Sequence, residues 1–276
     1  MKTLYLTDMD GTLLNNEGKI SQKSKEIINS LTDRGLLFSV ATARSIFSSK
    51  ELLDGINITA PAVLQSGVMI YDFKNNKTVK CFSLNKDRFE KIISSFERHN
   101  KSPFAFFFNE QTENYEILFT DLKLKEHKNF YETRRKMQGL NIRKAEKYSI
   151  PEGYSPIFIS LCDRFEDLAL IKEEIDAIDG VGCSFYKDTY TPLWFLEVFS
   201  KEASKANGLL LVKELVKADK TVAFGDNLND LPLFSVADLS CAVENAVSEL
   251  KAVADTVIKS NEENGVAEYL KDNFII

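Results

Sequence analysis

The sequence predicts an α/β protein: a doubly wound parallel-sheet core interrupted by an inserted α+β domain. Three observations carry that expectation. Residues 4–64 alternate apolar strand and amphipathic helix, the rhythm of a parallel sheet covered by helices on both faces. The same rhythm returns from about residue 200 to the end. Between them, residues 83–199 carry aromatic-rich strands that read as a partly antiparallel sheet. The expected division is a core built from 1–82 and 200–276, with the inserted domain at 83–199.

The elements follow in order. Leu4–Thr7 is an apolar strand. Ser21 is placed to cap a helix running to Arg34, with Ile27, Ile28 and Leu31 on one face and Gly35 as its stop. Residues 36–41 form a second strand that ends at Thr42, and a short helix is expected near 45–53. A third strand covers 62–64, and the segments 69–73 and 78–82 flank Asn75-Asn76 as a hairpin. In the insert, 87–99 has a helical stripe of Phe89, Ile92, Ile93 and Phe96. Strands are expected at 104–108, 115–119, 157–161, 181–186 and 194–199, with helices at 122–137 and 165–178. The run Phe104-Ala105-Phe106-Phe107-Phe108 reads as packing within the insert. In the last section a helix spans 201–216, a buried strand 221–224, a short helix 230–234, and strands 239–242 and 256–258, with helices after each.

Composition narrows the function. The chain has 276 residues, enough for one or two domains. Its net charge of -6 argues against non-specific nucleic-acid binding, which needs a basic face. No apolar run approaches the length of a membrane span. The four cysteines are dispersed at 81, 162, 183 and 241, which suggests neither a zinc site nor a disulfide framework. No signal-peptide pattern is evident, and the cytoplasm is the expected compartment.

The chemistry concentrates at strand ends. Asp8-Met9-Asp10-Gly11-Thr12-Leu13-Leu14 follows the first strand and puts two carboxylates two residues apart, where open α/β sheets keep their sites. Gly11 permits a tight turn close to a ligand. Taken alone, Asp-x-Asp-Gly also describes an ordinary turn. A second acidic cluster, Gly225-Asp226-Asn227-Leu228-Asn229-Asp230, follows an apolar strand; a capped helix start is its plainer reading. Thr42 in Ala41-Thr42-Ala43-Arg44 offers a hydroxyl and free N–H groups that suit a phosphate, or a simple N-cap. Lys205 lies early in a helix, where a solvated lysine is the usual case. Order and placement together say more than each segment does.

With those four segments in that order, the chain resembles the haloacid dehalogenase-like superfamily, and within it the Cof-type phosphatases with a large α/β cap. The tail containing Asn245-Ala246, Ala254-Asp255 and Asn261-Glu262-Glu263-Asn264-Gly265-Val266 resembles that family's closing segment. The resemblance implies a Rossmann-like core, residues 83–199 as the cap that selects substrate, and a Mg²⁺-dependent phosphatase. It implies that Asp8 attacks phosphorus to form an aspartyl-phosphate. Asp10 would act as general acid and then base. The cation would be held by Asp8, the backbone carbonyl of Asp10, and Asp226, with Asn229 and Asp230 supporting it directly or through water. Thr42, Ala43, Lys205 and Asn229 would bind the phosphoryl group. The chain departs from the family at Ala43, where glycine is usual, and at Ser66-Gly67-Val68 and Ala242-Val243-Glu244.

Expected substrates are small phosphorylated metabolites, sugar phosphates first and phosphorylated cofactors second. Two alternatives stay open: a phosphotransferase or phosphomutase with the same intermediate, and a phosphometabolite sensor without turnover. Tyr186, Lys187, Asp188, Tyr190 and Trp194 lie where the insert returns to the core, and one or two of them are candidates to face the pocket. Packing is the plainer role for Trp194. For His99 and His127, local bonding or solvation is expected rather than catalysis.

Overall fold

The computed structural model describes residues 1–137, 139–188 and 191–274. Tyr190 falls outside the described residues. The chain forms two compact units, Met1–Lys80 with Ser204–Ile276, and Cys81–Ala203. In chain order the elements are β1 (Thr3–Thr7), α1 (Gln22–Thr32), β2 (Leu37–Val40), α2 (Ile46–Leu52), β3 (Ala62–Leu64), β4 (Met69–Asp72) and β5 (Lys77–Cys81). Then come α3 (Lys86–Arg98), β6 (Phe104–Asn109), β7 (Asn114–Phe119), α4 (Lys125–Arg134), β8 (Leu140–Lys144), β9 (Ser155–Asp163), α5 (Phe165–Asp176), β10 (Val181–Lys187) and β11 (Trp194–Ser200). The last are α6 (Lys205–Val216), β12 (Lys220–Gly225), α7 (Leu231–Phe234), β13 (Leu239–Val243), α8 (Ser248–Lys251), β14 (Thr256–Ile258) and α9 (Gly265–Asn273).

The first unit is built on a parallel sheet of order β14-β13-β12-β1-β2. Its strands are near-continuous apolar runs because helices cover both faces; Leu4, Leu6, Phe38, Val40, Ala223 and Phe224 are all fully buried. The central pair joins the two ends of the chain. β1 lies beside β12 in a register that sets Thr7 opposite Phe224, and beside β2 with Thr7 opposite Val40. The segments that follow residues 7, 224 and 40 therefore leave the sheet at the same edge. Ser21 caps α1 by accepting the Ser24 N–H at 3.0 Å.

β3 keeps the expected parallel direction beside the end of β2, bridged at Ala41 and Val63 with the Thr42 N–H on the Val63 carbonyl at 2.9 Å. It also pairs antiparallel with β4, in a sheet of order β3-β4-β5. The turn between β3 and β4 takes Gln65, Ser66 and Gly67 through positive φ, which reverses the chain within three residues. α6 starts at Lys205 rather than 201, because the Ser204 hydroxyl accepts the Asn207 N–H at 3.0 Å and ends the preceding turn.

The second unit has a six-stranded sheet of order β10-β11-β9-β6-β7-β8, antiparallel except for β7 with β8. Ala105, Phe107, Ile159, Leu161, Leu196 and Val198 share a core with α3 and α5. Phe104, Ile117, Phe119 and Ile142 form another cluster, with Phe130 and Tyr131 of α4 against it. α4 is shorter than its sequence pattern. β8 had no sequence signal of its own, since Ile142 is its one buried residue. His127 is buried, with its Nε2 2.7 Å from the Cys162 carbonyl oxygen, and His99 meets Glu174 at 2.9 Å. Trp194 packs on Phe165 and Phe185. Among the described residues, no helix is long and apolar enough to cross a membrane.

Candidate active site

Asp8 stands one residue beyond β1, and its N–H donates to the Phe224 carbonyl at 2.9 Å. That bond holds the Asp8 loop against the end of β12, from which Asp226 leaves. The loop then turns tightly through Gly11 at φ +75° and closes with the Leu14 N–H on the Met9 carbonyl at 2.8 Å. A Cβ at Gly11 would lie 2.4 Å from Asp226 Oδ2, so only glycine allows the two acidic loops to approach this closely. Thr12 Oγ1 donates to Asp226 Oδ1 at 3.1 Å across the same gap.

Lys205 enters from the first residue of α6. A Cβ at Gly208, one turn on, would meet Val63 Cγ1 at 2.4 Å, so the bare backbone there lets α6 lie against β3. Lys205 Nζ donates to Asp8 Oδ1 and to Asp230 Oδ1, each at 2.6 Å. All three side chains are buried, with exposures of 2%, 7% and 0%. The second oxygen of Asp230 accepts the backbone N–H groups of Asp226 at 3.0 Å and Asn227 at 3.2 Å. Asp230 thus orders its own loop as well as the lysine.

Asp8, Asp226 and Asp230 each offer a carboxylate oxygen, and these oxygens lie within 4.8 Å of one another. One ammonium faces three carboxylates. Burial pushes Asp8 up to about 8, with Lys205 pulling against it and Asp230 adding to it. Burial and the charge of Asp230 push Asp226 up to about 6. Burial works against the Lys205 ammonium, but Asp8 and Asp230 outweigh it and hold its pKa above the ordinary value. Buried carboxylate oxygens in excess over cationic partners are the donor set of a hard divalent cation, so these residues fit Mg²⁺.

The other expected residues line the same sheet edge. Asp10 lies outside that group of three and is gripped by Arg44, Nε to Oδ2 at 2.7 Å and Nη2 to Oδ1 at 2.6 Å. Thr42 is buried; its N–H donates to Val63 O at 2.9 Å, and its Oγ1 accepts the Arg44 N–H at 3.1 Å. Ala43 and Asn229 are exposed on their loops. Sequence reasoning did not foresee the contacts that Thr12 and Arg44 make. Arg44 sits two residues after Thr42 and Thr12 two after Asp10, but nothing in their spacing said which carboxylate each would meet.

Residues 5–270 match the model of the haloacid dehalogenase-like hydrolases. The chain is 29% identical over 290 residues to the 5-amino-6-(5-phospho-D-ribitylamino)uracil phosphatase YwtE of Bacillus subtilis (strain 168), covering 95% of each. It is 25% identical to the phosphatase YwpJ of the same organism, covering 97% of this chain and 98% of the relative. A crystal structure of a haloacid dehalogenase-like hydrolase from Bacteroides thetaiotaomicron superposes with a TM-score of 0.78 at 20% identity, over 99% of this chain and 100% of that one.

Proposed function

Since the chain belongs to the haloacid dehalogenase-like hydrolases, we propose that it is a cytoplasmic, Mg²⁺-dependent phosphatase of small phosphorylated metabolites, working through Asp8. The observation that carries this reading is the buried contact of Lys205 with Asp8 beside Asp226 and Asp230 at the carboxyl edge of a parallel sheet. A carboxylate held 2.6 Å from an ammonium keeps a fixed rotamer, and its other oxygen is left to attack. Asp8 forms the bond to phosphorus as the bond to the ester oxygen breaks, giving an aspartyl-phosphate. Asp10 protonates the departing oxygen and then takes a proton from the water that hydrolyses the intermediate.

Asp8, Asp226 and Asp230, with the Asp10 carbonyl, would hold Mg²⁺, which when bound supplies positive charge against the phosphoryl oxygens. Asn229 supports that set from its loop. Lys205, the Thr42 hydroxyl and the Ala43 N–H neutralise and orient the same oxygens. Asp10 reaches its task from a defined position, because the Arg44 fork fixes both of its oxygens.

Residues 83–199 form the domain that selects the substrate. Sugar phosphates come first and phosphorylated cofactors second. The relative named for 5-amino-6-(5-phospho-D-ribitylamino)uracil puts that compound in the same test set.

The test is phosphate release from a panel of such compounds, with and without Mg²⁺, by wild type and Asp8→Asn. Mg²⁺-dependent release that disappears in the variant is the expected result. Folded wild-type protein that releases no phosphate across the panel would overturn hydrolysis. Phosphoryl transfer to an added alcohol would then point to a transferase, and ligand binding without turnover to a sensor.

A further inference from the structure

The closing segment of the chain has work at the acidic loops that the reaction itself does not use. Asn245 lies just beyond β13, a strand separated from β1 by β12. Its Nδ2 donates to the Gly11 carbonyl at 2.7 Å, and its Oδ1 accepts the Asn261 N–H at 3.0 Å. Asn261 is buried, and its Nδ2 donates to the Leu14 carbonyl at 3.0 Å and to Asn16 Oδ1 at 3.3 Å. Two residues after Asn245, the Val247 N–H donates to the Asp226 carbonyl at 2.9 Å. One short turn therefore holds the loop that carries Asp8 and the loop that carries Asp226.

Those loops lie beyond the ends of their strands, where no ladder fixes the carbonyls of Gly11, Leu14 and Asp226. The closeness of the loops is demanding, since Gly11 approaches the Asp226 carboxylate to a distance that no side chain would allow. An amide suits the brace because it donates at one end and accepts at the other. A carboxylate could not donate to the Gly11 carbonyl.

We infer that Asn245 and Asn261 are positioning residues that set the spacing between the Asp8 and Asp226 carboxylates, and through it the affinity for the divalent cation. Neither side chain touches a reacting atom. The inference rests on the proposed cation set of Asp8, Asp226 and Asp230. Partners that orient metal ligands from outside the coordination sphere typically change affinity by about ten- to a hundredfold when removed.

The experiment is calorimetric titration of the metal-free full chain with Mg²⁺, for wild type, Asn245→Ala and Asn261→Ser, alongside metal-free melting temperatures. Asn245 is exposed, so its truncation leaves no cavity. Asn245→Ala is expected to raise the Mg²⁺ Kd about tenfold with little change in metal-free melting, and Asn261→Ser to act in the same direction. An unchanged Kd in Asn245→Ala overturns the inference, including when its melting temperature falls, since that result marks a structural brace only. Wild type that binds no Mg²⁺ overturns the cation set itself, and is distinguished because it is read without any variant.

Discussion

Arg44 holds Asp10 through both of its oxygens, Nε to Oδ2 at 2.7 Å and Nη2 to Oδ1 at 2.6 Å. The side chains are 34% and 55% exposed, so the pair adds little to stability; exposed ion pairs contribute about 0–1 kcal/mol. Its consequence is orientation. Lysine offers a point charge instead of a planar fork. Arg44→Lys is therefore expected to lower kcat about tenfold while the melting temperature stays near wild type. Steady-state kinetics beside a thermal melt checks this, and an unchanged kcat would remove Arg44 from the positioning of Asp10.

Lys205 neutralises two carboxylates that water scarcely reaches. Replacing it with methionine keeps most of the length of the side chain and leaves Asp8 and Asp230 buried without their cation. Breaking a buried ion pair from one side costs about 3–5 kcal/mol. Lys205→Met should lose stability of that order in metal-free denaturant unfolding near neutral pH, and should lose turnover as well. A loss below about 1 kcal/mol would mean that the buried acids take up protons or relax toward solvent in the variant.

Gly11 answers both a conformational and a steric requirement. At φ +75° a side chain is strained, and its Cβ would lie 2.4 Å from Asp226 Oδ2. Gly11→Ala is expected to push the two acidic loops apart. Mg²⁺ affinity should fall at least about tenfold, read by calorimetry. Wild-type affinity in that variant would show that Asp226 can move aside without loss of the site.

Glu197 on β11 supplies a pH dependence remote in sequence from the acidic motifs. Burial pushes its carboxyl up to about 7, although the Tyr186 hydroxyl, donating at 3.0 Å, lowers it in part. The folded pKa thus lies above the ordinary value of 4.5. The folded state binds the proton more tightly, so this contribution is fully present below about pH 4.5. It is lost as pH rises through about 7. Glu197→Gln should remove the decline, and be the more stable protein relative to wild type at pH 8 by roughly 1–3 kcal/mol. Unfolding free energies of both proteins from pH 4 to 8 provide the check. Parallel curves would rule Glu197 out as the source.

Much of the fold is written locally. The Ser21 cap, the stripe of Phe89, Ile92 and Phe96, and the apolar runs of β1, β2 and β12 each depend on neighbours within a few residues, and each is where its pattern puts it. β8 was not legible, because a strand that buries only Ile142 has no alternation to read. β3 was legible as a parallel strand following β2, but its second pairing, with β4, was not, since that depends on a tight reversal at Gln65–Gly67 and not on its composition.

The sequence by itself determined which side chains carry charge, which segments become strands and helices, and that the acids, the threonine and the lysine occupy the ends of those elements. Hydrophobic period and turn chemistry are properties of short stretches, so they survive in one dimension. Only the tertiary structure decided which of those groups meet. The pairing of β1 with β12 brings Asp8 to Asp226, and α6 lying against β3 delivers Lys205 to an acid 197 positions earlier in the chain. The same packing gave Asp10 to Arg44 and the Gly11 carbonyl to Asn245. Such contacts depend on strand order and on angles and distances of a few ångströms, set by the whole core closing at once, and no local pattern of residues encodes them.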